Sequence, residues 1–164
     1  MKYTNTEIVF REVPDKITLA INISGCPNHC PECHSKWLWE DNGTLLDEKE
    51  LIRLVERNKG INCVAFMGGD AEPEEIVRLG GFLFDMYPSI QQCWYSGRNP
   101  EELESLAEAG YLDFLDYIKL GPFKKEYGPL DNKNTNQRMY EISSENSGKN
   151  IHFIYKDITH KFWR

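Results

Sequence analysis

The sequence predicts an α/β protein, an incomplete (β/α) barrel or open curved sheet of about five to six β/α units with mainly parallel strands. Three observations lead there. Runs with strand periodicity alternate with runs of helical periodicity along most of the chain, which is the signature of βαβ units. The 164 residues suffice for one domain with a hydrophobic core but not for the eight units of a closed barrel. Four polar or glycine-bearing motifs directly follow the strand runs, at residues 24–35, "GGD", "SGRN" and "KLGPF", where α/β folds place their ligand sites.

The elements follow in order. Over residues 16–24, "KITLAINIS" sets Ile17, Leu19, Ile21 and Ile23 against Thr18, Ala20 and Asn22, a period of two that marks a strand. "LDEKELIRLVERNKG" places Leu51, Ile52, Leu54 and Val55 on one helical face, with Asp47 as N-cap and Gly60 as stop. Strand "INCVAFM" comes next, then a helix that starts near Pro73, a good first-turn residue, and runs toward Pro88. The Gly80-Gly81 pair within it costs roughly 1 kcal/mol per glycine against alanine, so close packing is expected there. Strand "QCWYS" leads to helix "PEELESLAEAG", capped by Asn99, and on to strand "FLDYIKL". Residues 121–150 are rich in Lys, Asn, Ser and Gly and are expected to form a long polar functional loop. A last strand, "IHFIYKD", precedes the tail with Trp163.

Composition narrows the function classes. With 40% hydrophobic and 27% charged residues the chain is an ordinary globular sequence, expected to be a single domain over residues 1–164. A formal charge of -7 with scattered Lys and Arg argues against nucleic acid as a partner. The polar opening "MKYTNTEIVFREVPDK" offers no signal peptide or membrane span, so a cytoplasmic location is expected. In a reducing cytosol the five cysteines read as ligands, catalytic groups or buried thiols rather than disulfides. Cys63 and Cys93 lie in apolar strands and are expected to be buried.

The chemistry concentrates in "SGCPNHCPECH", where Cys26, Cys30 and Cys33 stand at a C-x3-C-x2-C spacing. Thiolates so close together select zinc or an iron-sulfur cluster. A structural zinc ion takes four ligands, usually as two separated pairs, and here His29, His34 or a distant cysteine would have to complete the set. A cluster held by three cysteines leaves one iron open for a small molecule.

At this motif the chain resembles the radical S-adenosylmethionine superfamily, whose C-x3-C-x2-C signature follows the first strand of a partial (β/α)6 barrel. The resemblance implies a [4Fe-4S] cluster on Cys26, Cys30 and Cys33, with S-adenosylmethionine chelated to the fourth iron. Glu32 stands where the superfamily often carries an aromatic residue. His34 follows the third cysteine as in glycyl-radical activating enzymes, with Ser35 in place of their asparagine. "FMGGD" resembles the "GGE" motif that meets the methionine amino group, which implicates Gly68, Gly69 and Asp70.

The likeness is closer to one branch, the small activating proteins of the anaerobic ribonucleotide reductase, through "NISGCPNHCPECHS", "GGD", "YSGRNPEEL", "YIKLGPF" and "NTNQR". It implies Ser96 near the ribose or methionine, Lys119 near the methionine carboxylate, and Asn136, Gln137 and Arg138 near the cofactor mouth or the partner surface. It also implies the reductase catalytic subunit as partner, with an electron donor such as flavodoxin. An activase of another glycyl-radical enzyme, a small-molecule radical enzyme, or a zinc-stabilised binding module without catalysis are the competing expectations.

Overall fold

The computed structural model describes residues 1–147 and 150–163. In chain order the strands and helices are β1 (Lys2–Val9), β2 (Thr18–Ile23), β3 (Thr44–Leu45), α1 (Glu48–Arg57), β4 (Cys63–Met67) and α2 (Pro73–Met86), followed by β5 (Gln91–Tyr95), α3 (Leu103–Glu108), β6 (Tyr117–Leu120), β7 (Arg138–Ser147) and β8 (Asn150–Asp157). The strands form one sheet, ordered β3-β1-β2-β4-β5-β6-β7-β8. Its centre, β2-β4-β5-β6, is parallel, whereas β1 and β3 on one flank and β7 and β8 on the other pair antiparallel.

Local chemistry explains the boundaries. The Asp47 carboxylate accepts from the Glu50 backbone N–H at 2.8 Å and so caps α1. That helix ends at Arg57, before Gly60, because the Asn58 side chain caps the Leu54 carbonyl. Pro73 opens α2. The expected helix after Asn99 is split: Pro100–Glu102 winds as a 3-10 turn, and α3 begins only at Leu103. The Gly80-Gly81 pair sits against Gln92 and Phe114, where a Cβ would come within 3.1 Å of the Gln92 Oε1 and of the Phe114 ring.

Alternation along each central strand divides the core in two. Leu19, Ile21, Val64, Phe66, Trp94 and Ile118 face the helices and pack with Leu51, Leu54, Ile76, Leu79 and Leu83. Cys63, Ala65, Cys93 and Tyr117 face the other way, onto Val13, Leu130, Met139 and Ile158. On this second face Tyr95 follows Cys93 along β5, and Lys119 lies beside it.

Residues 121–150 differ from the expected single loop: residues 121–137 connect, and β7 starts at Arg138. β1 is likewise a strand within a polar stretch. Both bury few apolar residues, Tyr3 in β1 and Met139 and Ile142 in β7, and lean on ladder pairing, so period-two hydrophobicity does not reveal them. No described helix is long and apolar enough to cross a membrane.

Candidate metal centre

Because β2, β4, β5 and β6 run parallel, their C-terminal ends lie along one edge of the sheet. Four junctions meet there: Ser24 after β2, Gly68 after β4, Ser96 after β5 and Gly121 after β6.

The loop after β2 carries the cysteines. Ser24 donates from its hydroxyl to the Asn42 carbonyl at 2.6 Å, and the Cys26 N–H donates to the Leu38 carbonyl at 2.8 Å, pinning the start of the loop. A tight turn follows, with the Cys33 N–H on the Cys30 carbonyl and the Ser35 N–H on the Cys33 sulfur at 3.3 Å. His29 and Glu32 both adopt the left-handed region, at φ +40 and +58, a conformation that costs a non-glycine residue free energy and persists only where surroundings enforce it. The surroundings are visible: His29 stacks on Trp39 at 4.8 Å, and Glu32 pairs with Lys125 at 2.6 Å. Phe123, from the same connection as Lys125, packs against His34.

The turn after β4 needs glycine at two positions. Gly68 and Gly69 have φ of +108 and +93, and a Cβ on Gly69 would strike Ile76. The Gly68 carbonyl accepts from the Trp94 indole at 2.8 Å, and its N–H donates to the Tyr95 carbonyl at 2.9 Å. This turn delivers Asp70, 8% exposed, to the junction after β5. There its carboxylate accepts from the Ser96 hydroxyl at 2.5 Å, the Gly97 N–H at 2.8 Å and the Asn28 amide at 2.6 Å.

Lys119, on β6, is buried and donates to the Gly121 carbonyl at 2.6 Å. Burial lowers its pKa to about 8, against the opposing pull of Asp70 and the three cysteines. A cavity of about 190 Å³ is lined by Cys26, Cys30, Cys33, Gly68, Asp70, Ser96, Lys119 and Gln137. A wider groove of about 880 Å³ adjoins it through Cys33, Lys119 and Gln137, and includes His34, Phe10 and Trp163.

Eight of the twelve candidate residues therefore converge on one cavity. His34 lines the adjoining groove, and Gly69 sits behind, against Ile76. Asn136 donates to the Pro122 carbonyl, and Arg138 donates to the Thr135 and Gln137 carbonyls and faces Asp157; neither lines a described cavity. Sequence reasoning missed Asn28, Trp94 and Gly97. The sign available for Asn28 was its place between two of the cysteines, and for Gly97 its turn position after a strand.

Among the described residues, no group of three or more His, Cys, Asp and Glu side chains is gathered closely enough to hold a single metal ion. The donor set at the cavity is three free thiols, soft ligands that suit a cluster, whose cube of iron and sulfur spreads its ligands wider than one tetrahedral ion does. The family model for a 4Fe-4S single cluster domain matches residues 17–143. The chain belongs to that 4Fe-4S single-cluster domain family. The match runs from β2 into β7 and so takes in every junction described above. No curated protein and no solved structure matches the chain.

Proposed function

We propose that this 4Fe-4S single-cluster domain is a radical S-adenosylmethionine activase that generates a glycyl radical on the anaerobic ribonucleotide reductase. One observation carries the reading: the cysteine triplet, the Gly-Gly-Asp turn, Ser96 and Lys119 share a single cavity at the ends of four parallel strands. When bound, the cluster and S-adenosylmethionine supply one-electron cleavage to methionine and a 5'-deoxyadenosyl radical, which takes a hydrogen atom from a glycine Cα and leaves as 5'-deoxyadenosine.

This chain's residues hold and orient. Cys26, Cys30 and Cys33 are the cluster ligands. The Gly68-Gly69 turn and Asp70 accept from the methionine ammonium, and Lys119 donates to its carboxylate, since charge-assisted hydrogen bonds are the strong ones. Ser96 lies toward the ribose, and Gln137 stands at the cavity mouth. The groove of about 880 Å³ accommodates a loop of the reductase catalytic subunit, and a reduced protein such as flavodoxin delivers the electron. Such an activase works in the cytoplasm.

The direct test is anaerobic incubation of the reconstituted protein with dithionite and S-adenosylmethionine. Methionine and 5'-deoxyadenosine in equal amounts are the expected products; a loaded cluster that leaves S-adenosylmethionine intact would refute the reading. Binding provides a second prediction. Lys119→Met is expected to weaken S-adenosylmethionine affinity by about 10- to 100-fold, the loss of one hydrogen bond to a charged group, with iron content unchanged. Lys119 binds a carboxylate only when protonated, and burial lowers its pKa to about 8. Affinity should accordingly fall on the alkaline side of pH 8 in the native chain, and less steeply in Lys119→Met, where only the ligand's own ammonium is lost. Isothermal titration across pH checks both.

A further inference from the structure

The carboxamide of Asn28 sits between two groups of opposite function. Its Nδ2 donates to the Asp70 Oδ2 at 2.6 Å and lies 3.8 Å from the Cys26 sulfur. An amide nitrogen has two hydrogens, so it serves both acceptors at once. Turning the amide over would set its carbonyl oxygen against a carboxylate, so the charge of Asp70 fixes which end faces inward. Asp70 is itself held by the Ser96 hydroxyl and the Gly97 N–H, with Ser96 only 1% exposed. Glycine at position 97 is what lets the amide approach, because a Cβ there would collide with the Asn28 nitrogen. The residue next in the chain, His29, is in the left-handed region, so the tether acts where the loop backbone needs holding.

We propose that Asn28 is a positioning residue that ties the metal loop to Asp70 at the end of β4 and aims its second N–H at the Cys26 sulfur, raising the reduction potential of the cluster. The proposal rests on Cys26 as a cluster ligand. Reduction adds an electron to the cluster, and a donor on a ligating sulfur stabilises the more negative state. The same contact makes the loop responsive to Asp70: whatever draws on that carboxylate is felt at Cys26 through one amide group.

Two readouts test this on Asn28→Ala and Asn28→Asp, the second of which keeps the side-chain size but sets a carboxylate against Asp70. An anaerobic redox titration of the reconstituted proteins, followed by electron paramagnetic resonance of the reduced cluster, should show reduction about three- to tenfold less favourable than in the native chain. The upper end corresponds to about 59 mV for one electron. Without cluster, iodoacetamide labelling resolved by peptide mass spectrometry should modify Cys26 about threefold more slowly in the variants, because the thiolate that reacts loses its N–H donor. Unlabelled Cys63 and Cys93, both fully buried, report an intact fold in the same digests. A midpoint potential equal to that of the native chain would overturn the tuning, and unchanged Cys26 labelling would overturn the tether. If the native chain took up no cluster at all, the cluster assignment would fail, while the labelling would still read the tether.

Discussion

Replacing Cys26, Cys30 or Cys33 by alanine is expected to take the iron and sulfide of the anaerobically reconstituted protein from about four of each per chain to near zero, while Cys63→Ala and Cys93→Ala retain the full complement. The physical distinction is one of place: three thiols share a cavity wall, and the other two are enclosed in the core. Ligation requires thiolate, and the triplet lies partly exposed at a cavity wall. Cys63 and Cys93 lie on β4 and β5 within the second core, where burial pushes the Cys63 thiol up to about 12 and the Cys93 thiol well above its ordinary range. Their replacement removes one buried sulfur each and should cost on the order of 1 kcal/mol of stability, read as a lower midpoint in thermal unfolding with the cluster intact. Cluster loss with Cys63→Ala or Cys93→Ala but not with Cys30→Ala would refute the assignment. Stoichiometric zinc in place of iron would favour the binding-module alternative.

How much of this was legible in the sequence depended on whether a residue's neighbours were local. Asp47 as a cap and Pro73 as a helix opener act within one turn of themselves, and both were readable. The four central strands are buried on both sides and so carry the hydrophobic runs that mark them. β1 and β7 do not: in β1 only Tyr3 is buried, and its order comes from the ladder with β2. Residues 138–147 merged into a long polar loop for the same reason, since Met139 and Ile142 are their clearest apolar anchors.

The candidate site divides in the same way. Three cysteines within eight residues announce themselves, and the Gly-Gly-Asp turn after a strand is also a local signal. Asn28 is not, because its partner Asp70 lies 42 residues away and is reached only once β4 lies beside β2. Trp94 was visible as a large apolar residue, but its indole bond to the Gly68 carbonyl depends on the register between β4 and β5. The resemblance grouped Arg138 with Gln137 through the "NTNQR" run. Gln137, the last residue of the connection, lines the cavity, whereas Arg138, which opens β7, binds the carbonyls of residues 135 and 137 and faces Asp157.

The second large effect concerns the partner. With no hydrogen donor held in position, the isolated protein should consume S-adenosylmethionine slowly, because the rate gain of an oriented, near-attack geometry is missing. The groove beside the cavity, with Phe10, Phe123, Phe162 and Trp163 along it, offers an apolar surface for a polypeptide segment. Filling it with the reductase loop should couple cleavage to hydrogen abstraction. The decisive measurement is electron paramagnetic resonance of an anaerobic mixture of the reconstituted protein, the proposed partner (an anaerobic ribonucleotide reductase from the same cell), S-adenosylmethionine and reductant. The expected result is a glycyl-radical doublet that requires all four components and disappears with Cys30→Ala. A silent spectrum despite a loaded cluster and competent reductase, or efficient turnover of a small molecule with no reductase present, would contradict it.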